Sequence, residues 1–311
     1  MAVAVVAAIA LIAAIGLGIA LLSSGGEETP ETPAGDETMG ERPLEALVAV
    51  KVDNAEPARP QIGIDAARYL FEVPVEGGMT RFLALFAPGD GLVGPVRSAR
   101  PVDVDLLPAL SDVLVSTGGR PFVMGPLEAQ GVELVGSDPE DNELQTLERP
   151  APHNLFVSLA GLPEPTERPS PLPRGESTAG EPTEEAIEVP YADPVAWTYT
   201  DGVYTREVGG EVATIFPEFS AEPVAFTTET VVVMEVVERP AGYQDVNGVD
   251  VPTFDVIGSG VVRVYNQGTT ITGTWSRASS AEPFDLWTDS GETLNLPEGR
   301  VFVHLLPAAP G

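Results

Sequence analysis

The first 22 residues form an unbroken run of small and apolar side chains without a charged member. In a helix, this run reaches about 33 Å at ~1.5 Å per residue, which is enough to cross a hydrocarbon layer of about 30 Å. Residues 23–43 are rich in Glu, Pro and Gly, a composition typical of a tether that has little apolar surface to bury. The pattern predicts one transmembrane or signal-anchor helix at 1–22, followed by a flexible acidic tether at 23–43.

Between residues 44 and 160, apolar β-branched runs alternate with segments of helical spacing. The glycines of Glu76-Gly77-Gly78 predict a tight turn between two strands, because glycine readily adopts positive φ. This alternation, with a β-hairpin inside it, predicts a mixed α/β domain. Strands are expected at 46–52, 69–75, 81–86 and 113–116, with a turn or short helix at 59–67 and helices at 102–110 and 122–129.

Residues 161–188 are rich in Pro, Glu, Ser and Thr, which predicts an exposed linker or loop. Residues 189–307 contain alternating strand patterns separated by turn residues, so a mainly antiparallel β domain is expected there, followed by a tail at 308–311. Gly258-Ser259-Gly260 is interpreted as a glycine bulge within a strand. The predicted fold class is therefore α+β, and the strands of the second domain are expected at 197–208, 230–237, 253–264, 270–275 and 301–306.

Charge and cysteine content exclude several kinds of function. The chain has 47 acidic and 16 basic residues, for a net charge of −31, so phosphate backbones of nucleic acids would be repelled. It has no cysteine, which excludes disulfides, thiolate metal sites and cysteine nucleophiles. Neither a phosphate-binding loop nor a complete dinucleotide fingerprint is present. We predict no nucleic-acid partner, no cofactor and no metal, and the oligomeric state is left open.

Charged side chains are concentrated in the first predicted domain, where the pattern otherwise indicates a plain core. One interpretation is a polar cleft in which arginines hold an anionic or sugar-like ligand, while the two glutamates orient it or act as acid and base. The other is a buried ion network in which arginines and carboxylates satisfy one another. His153 lies on a proline-constrained loop, where it could be a strut, a proton carrier or a ligand. The side chains in question are Glu72, Glu76, Arg81, Arg97, Ser98 and Arg100.

Several ordered strings in this chain resemble one bacterial envelope family, the YerB-like lipoproteins, with their N- and C-terminal domains of unknown function (DUF3048). The resemblance extends from about residue 44 to 307. The strings that carry it lie at 52–54, 59–63, 71–82, 94–101 and 151–154, with shorter ones at 258–260, 273–277 and 294–299.

The resemblance implies an extracytoplasmic location and a family of unknown activity. Members of the family typically have a lipid-modified cysteine near the N-terminus, and this chain has none. The anchor is therefore expected to be the helix at 1–22, with the folded domains outside the cytoplasm. We expect a noncatalytic protein that binds a cell-wall glycan or an envelope protein. The alternative is a cell-wall hydrolase using Glu72 or Glu76 with His153. The full set of candidate ligand-binding residues is Asp53, Asn54, Arg59, Gln61, Glu72, Glu76, Arg81, Arg97, Ser98, Arg100, His153 and Asn154.

Overall fold

A computed structural model describes residues 42–137, 144–183 and 186–308. The predicted helix at 1–22, nearly all of the predicted tether and the last three residues lie outside these ranges. Within them, no helix is both long enough and apolar enough to cross a bilayer. The described residues belong to one compact unit.

Strands dominate the structure. The first ten are β1 (Leu44–Ala46), β2 (Val48–Asp53), β3 (Tyr69–Pro74), β4 (Thr80–Phe86), β5 (Leu92–Val93), β6 (Val113–Val115), β7 (Glu133–Val135), β8 (Leu144–Thr146), β9 (Leu155–Ser158) and β10 (Glu167–Pro169). The others are β11 (Glu181–Pro182), β12 (Ile187–Val189), β13 (Val195–Thr200), β14 (Val203–Val208), β15 (Glu211–Val212), β16 (Thr214–Ile215), β17 (Val224–Ala225), β18 (Thr227–Thr228), β19 (Thr230–Gln244), β20 (Asp250–Asp255), β21 (Gly258–Asn266), β22 (Thr269–Arg277), β23 (Asp285–Thr288) and β24 (Val301–Pro307).

Helix is scarce, which corrects the predicted α+β class to a predominantly β fold. The described residues form two α-helices, α1 (Asp103–Leu106) and α2 (Pro121–Ala129), with 3-10 turns at Glu56–Ala58, Ile64–Ala66 and Glu76–Gly78. The helix expected at 102–110 is only one turn long. Pro108 explains the early end, because proline has no N–H to continue the helical ladder and its ring crowds the preceding turn.

One sheet of twelve strands organises the molecule. Its central order is β11-β22-β21-β19-β24-β3-β4-β2-β6-β7, with β20 beside β19 and β23 beside β22. The last strand, β24, runs parallel to both β19 and β3 and lies between them. Strands from both predicted domains thus belong to the same sheet, while the division into two domains stays a prediction. A second sheet contains β12, β13, β14, β15 and β18.

Local strand predictions are largely confirmed. β3 and β4 form the expected antiparallel hairpin, with Gly77 at φ 72° and Gly78 at φ 75° in the turn. The predicted strand at 253–264 is instead two strands, β20 and β21. The prediction of a glycine bulge is wrong, because Gly258, Ser259 and Gly260 pair in unbroken register with Arg277, Ser276 and Trp275.

The segment predicted to be an exposed linker is partly packed against the body. β10 pairs antiparallel with β1, and Ser170 and Leu172 are completely buried. Leu172 belongs to one of the two hydrophobic clusters, and Pro171 and Pro173 beside it are also buried, so apolar packing and the β1–β10 pairing together hold this stretch against the body. Residues 184 and 185 lie outside the described ranges.

The central strands are buried on both faces. Leu47 and Ala49 belong to one hydrophobic cluster, whereas Val48, Val50 and Val52 belong to the other, as alternation along a strand requires. Burial on both faces accounts for the near-continuous apolar run of β2. This strand ends at Asp53, where the polar residues begin.

Candidate functional site

Seven of the twelve predicted site residues lie in two neighbouring groups near the ends of β2, β3 and β4. We call the first the inner cluster, which consists of Asn54, Glu72, Thr80, Trp197, Arg206 and His304. We call the second the arginine cleft, whose polar lining includes Glu76, Arg81, Arg97, Ser98, Arg100, Thr117, Arg120 and Tyr243.

Glu72 is the centre of the inner cluster. Arg206, in β14, donates one hydrogen bond of 2.8 Å to each oxygen of the Glu72 carboxylate. Asn54 Nδ2 and Thr80 Oγ1 donate to Glu72 Oε1 over 3.0 and 2.7 Å. Only 1% of Glu72 is exposed, so the charge of this carboxylate is balanced inside the protein.

The guanidinium of Arg206 is enclosed by aromatic rings. Its Cζ lies 5.0 Å from the ring centroid of Phe302 and 5.6 Å from that of Trp197, and the rings of Phe82 and Phe226 are also within 6 Å. Cations are attracted to the faces of such rings, and the attraction is strongest where water is excluded. Arg206 is therefore held by the rings and by Glu72 together.

His304 is neutral, and its tautomer follows from its neighbours. Trp197 Nε1 donates to His304 Nε2 over 2.9 Å, and an indole N–H can only donate, so Nε2 carries no proton. Nδ1 then carries the proton and lies 3.1 Å from Glu72 Oε2, although the N–H bond is poorly aligned with that oxygen. Burial lowers the pKa of His304 more than the nearby Glu72 carboxylate raises it.

Glu72 is ionised despite its burial. Desolvation by itself raises the pKa of this carboxyl, but the Arg206 charge and the hydrogen bonds around it outweigh burial and hold the pKa well below its usual range. A cavity of about 260 Å³ lies over this cluster and is lined by Asn54, Arg59, Glu72 and Tyr191 among others. A permanently ionised carboxylate cannot serve as a general acid at neutral pH.

Asp53 orients two other candidates. Its Oδ2 lies 2.9 Å from His153 Nδ1 and 3.1 Å from Arg97 Nε, while its Oδ1 accepts the backbone N–H of Ala55 over 3.1 Å. The loop containing His153 is brought here by the chain around β9, because Val96 N donates to Leu155 O over 2.6 Å.

The loop that follows Asp53 is held in place by hydrogen bonds from its own side chains. Gln61 Nε2 donates to Asn54 Oδ1 over 2.9 Å and to Asp53 O over 3.1 Å. Arg59 Nε lies 3.2 Å from Asn54 Oδ1, and its Nη1 forms a 2.8 Å salt bridge with Asp193 at the surface. These contacts give Arg59 and Gln61 a structural part in holding the loop.

Glu76 fixes one wall of the arginine cleft. Arg100 binds both oxygens of Glu76, with Nε 2.8 Å from Oε2, and Arg81 Nη2 lies 3.4 Å from Oε1. Burial opposes ionisation of Glu76, but the hydrogen bonds and charge of Arg100 overcome it and lower the pKa. Behind this wall, Lys51 and Asp103 form a fully buried salt bridge of 2.7 Å.

The cleft has a volume of about 380 Å³ and opens to solvent. Within the part of the chain that the structure describes, the terminal nitrogens of Arg97 meet no hydrogen-bond partner, and a quarter of this side chain, 26%, is exposed. Ser98 Oγ and Thr117 Oγ1 lie 3.1 Å apart, so the proton of one hydroxyl remains available. The opposite wall is the tip of the β19–β20 hairpin, with Tyr243 and Val246.

The structure divides the main candidates between two pockets. Arg97 and Arg100 line the cleft, and Asp53 and His153 contact Arg97 or its anchor. Glu72 lines the other cavity, and Met79 borders both. Among the described residues, Asn154 forms one hydrogen bond, in which its backbone carbonyl accepts from Leu147 N.

The contacts also argue against the hydrolase alternative. Each glutamate has both carboxylate oxygens bound by an arginine, Glu72 by Arg206 and Glu76 by Arg100. His153 contacts Asp53 instead of either glutamate.

No group of three or more metal-ligating side chains occurs among the described residues.

Sequence reasoning missed several members of both groups and the buried Lys51–Asp103 pair beside the cleft. Lys51 carried a signal, because a lone lysine within an apolar strand must be paired if the strand is buried. Arg206 and His304 gave little signal, because each alternates normally within its strand. The missed residues are Lys51, Asp103, Thr80, Trp197, Arg206 and His304, together with Thr117, Arg120 and Tyr243 in the cleft.

Comparisons with known proteins agree on a family. Residues 29–170 match the model described as "Protein of unknown function (DUF3048) N-terminal domain", and residues 187–303 match the corresponding C-terminal domain. The chain is 34% identical over 125 residues to "Putative lipoprotein YerB" of Bacillus subtilis (strain 168), an alignment that covers 39% of this chain and 38% of that protein. The crystal structure of the YerB protein from Bacillus subtilis has the same fold, with a TM-score of 0.69, 24% identity, and coverage of 88% of this chain and 94% of that one.

Proposed function

This chain belongs to the DUF3048 family of proteins of unknown function, and we propose that it is an extracytoplasmic envelope protein that binds an acidic cell-wall component in the arginine cleft. The two family domains together cover most of the chain. The inner cluster supports the fold, and the cleft receives the ligand.

The location rests on the relative and on the first residues. The Bacillus subtilis relative carries the name of a lipoprotein, which supports a place at the membrane. The apolar run at 1–22 is long enough to cross a bilayer and is the proposed attachment, with the folded part outside the cytoplasm. Membrane fractionation of cells that express the chain with and without residues 1–22 tests this placement; recovery of both forms in the cytosol contradicts it.

The observation that carries the binding proposal is the gathering of positive charge in an acidic protein. Four of the 16 cationic residues, Arg81, Arg97, Arg100 and Arg120, line one cleft. Glu76 and Asp245 are the acidic side chains among its described lining. These four cations outnumber the two carboxylates, and an excess of one sign between low-dielectric walls attracts the opposite charge, so the cleft attracts anions even though the whole chain carries −31.

Arg97 is the best candidate to hold the ligand. Asp53 Oδ2 lies 3.1 Å from its Nε as a charge contact without hydrogen-bond geometry, and the terminal nitrogens have no hydrogen-bond partner in the described part of the chain. The guanidinium can therefore present a planar pair of donors to a carboxylate or phosphate. Ser98 and Thr117 add a hydroxyl donor beside it.

Calorimetric titration of the full chain in detergent with muramidase-solubilised cell-wall fragments tests the proposal. Arg97→Ala should weaken binding by about 10- to 100-fold, as expected when one charge-assisted hydrogen bond of about 1.5–3 kcal/mol is lost. The matched control is Arg263→Ala, which removes the same charge from β21, where Arg263 pairs with Glu235 at 2.9 Å, outside the cleft. The proposal is wrong if the fragments do not bind, or if both variants bind them like the unaltered chain.

A further inference from the structure

The donors of the arginine cleft come from three separate elements. Arg97 and Ser98 lie in the loop between β5 and α1, Thr117 follows β6, and Arg120 directly precedes α2. A planar carboxylate has two oxygens and is satisfied by one arginine fork. A phosphate presents three or more oxygens in a tetrahedral arrangement, which suits donors that approach from several directions.

Building on the proposed function, we infer that the acidic group bound in the arginine cleft is a phosphate, carried as an ester on an organic molecule. Arg97 supplies the fork, the Ser98 and Thr117 pair supplies a hydroxyl, and Arg120 closes the site from the side of the hairpin.

The charges around the cleft support an anion with more than one negative oxygen. Glu76 already engages Arg81 and Arg100, and Asp53 Oδ2 lies 3.1 Å from Arg97 Nε. Arg81 is buried and lies near Arg100 and Arg97, and burial together with these like charges lowers its pKa to about 10. Asp245, on the hairpin tip, has its Oδ1 occupied by the backbone N–H groups of Asn247 and Val249, each over 2.9 Å. A bound phosphate therefore relieves repulsion among the arginines that these carboxylates leave in place.

The shape of the cleft accounts for the organic part of the ligand. Its volume of about 380 Å³ exceeds what one phosphate needs. The outer wall is apolar at Val246, which is 93% exposed, and at Val251. Tyr243 extends this wall and is held by Arg120, 5.5 Å above its ring, and by Phe122 at 4.9 Å. The carbon skeleton of the ester lies against this hairpin tip.

Titration with small probes at matched ionic strength tests the inference. The probes are inorganic phosphate, glycerol 3-phosphate, acetate and N-acetylmuramic acid, added to the full chain in detergent. Glycerol 3-phosphate should bind at least 10-fold more tightly than either carboxylate, and Arg97→Ala should remove most of this difference. Arg97→Lys keeps the charge and loses the fork, so its preference for glycerol 3-phosphate should lie between those of the unaltered chain and Arg97→Ala. Arg263→Ala should leave the affinity for every probe unchanged.

Two further arms separate the sources of the phosphate and guard against misfolding. Reconstituting the full chain into vesicles of phosphatidylcholine with or without phosphatidic acid shows whether a lipid headgroup competes with glycerol 3-phosphate for the cleft. Weaker binding of glycerol 3-phosphate in the vesicles with phosphatidic acid indicates that the site binds a lipid headgroup, and equal binding in both indicates a soluble phosphate ester; either result supports the inference. Arg120→Ala alters an exposed side chain and serves if Arg97→Ala does not fold; it should also weaken phosphate binding.

The outcomes distinguish the inference from the proposed function. Binding of carboxylate probes without phosphate binding overturns the inference and leaves the proposed function standing. Equal phosphate binding by the unaltered chain and both arginine variants places phosphate elsewhere and also overturns it. If neither these probes nor wall fragments bind, both proposals fail.

Discussion

Glu72 joins several strands through one carboxylate. It lies in β3, accepts hydrogen bonds from Thr80 in β4 and Arg206 in β14, and lies 3.1 Å from His304 in β24. A buried pair of this kind contributes little net stability compared with a well-packed apolar pair, because both charges were taken out of water. Removing one member is different, since the remaining charge is left without compensation.

Glu72→Gln should therefore destabilise the protein by about 3–5 kcal/mol, because it leaves the Arg206 cation buried among rings without a counter-charge. Urea denaturation measures the free energy of unfolding. The matched control is Glu229→Gln, which breaks the Glu229–Arg300 pair, where 36% and 30% of the two side chains are exposed. This control should cost less than about 1 kcal/mol. Equal losses in the two variants would show that the Glu72 pair is not specially dependent on burial.

The lowered pKa of Glu72 makes a prediction about acid. Because its pKa in the folded state lies below the ordinary value of 4.5, the unfolded chain binds the proton first as pH falls. The stabilisation is present above about pH 4.5 and is lost progressively below it. The difference in unfolding free energy between the unaltered chain and Glu72→Gln should therefore narrow from about pH 7 to about pH 3, as measured by urea denaturation at each pH. A difference that stays constant over this range contradicts the explanation.

Among the elements, β21 and β22 show why a glycine occurs in a regular strand. Gly260 faces Trp275 across the pair, and Trp275 Nε1 donates to Glu235 O in β19 over 2.8 Å. A Cβ on Gly260 would lie 2.5 Å from Glu235 O and 2.6 Å from Trp275 Nε1. The glycine therefore provides space for the indole, and the strand needs no bulge.

Gly260→Ala should destabilise the protein by about 1–3 kcal/mol, the usual cost of overpacking, since the indole or the β19 backbone must move. Urea denaturation and the near-ultraviolet circular dichroism of the tryptophans measure the effect. Ser259→Ala, at the adjacent exposed position, is the control and should stay within about 0.5 kcal/mol of the unaltered chain. If both variants lost the same free energy of unfolding, the contact with Trp275 would not be the reason for a glycine at position 260.

For the whole molecule, the central feature is the position of β24. The last strand of the chain inserts between β3 and β19, so pairing at the middle of the sheet requires residues about 230 apart in sequence. The two buried clusters on the faces of this sheet likewise combine residues from the beginning and the end of the chain. The first predicted domain thus has an unpaired β3 edge when β24 is absent.

The described body should accordingly unfold in one transition. Tryptophan fluorescence, which reports on Trp197, Trp275 and Trp287, should follow the same urea curve as hydrogen exchange of the amides in β2 and β4. A chain cut after residue 170 should fail to give a cooperative transition. Two separated transitions, or a stably folded fragment, would show that the halves are energetically independent despite the shared sheet.

Features that depend only on neighbours along the chain can be predicted without the structure. The strand periods, the Gly77-Gly78 hairpin and the density of arginines and carboxylates between 72 and 100 can all be recognised locally. Local periodicity failed where a proline cut a helix short, as at Pro108, and where a glycine was explained by packing. Such cases need a neighbour that the local pattern does not contain.

Which charges meet depends on the tertiary structure. Arg206 is 134 residues from Glu72, and His153 is 100 residues from Asp53, so both contacts depend on the order of strands in the sheets. The same order places Arg120 and the β19–β20 hairpin tip on one cleft with Arg97. The charged residues could be named from the sequence, but their division into a sealed ion pair and an open arginine cleft follows from where β24 and the long hairpin lie, because burial and pairing are properties of neighbours in space.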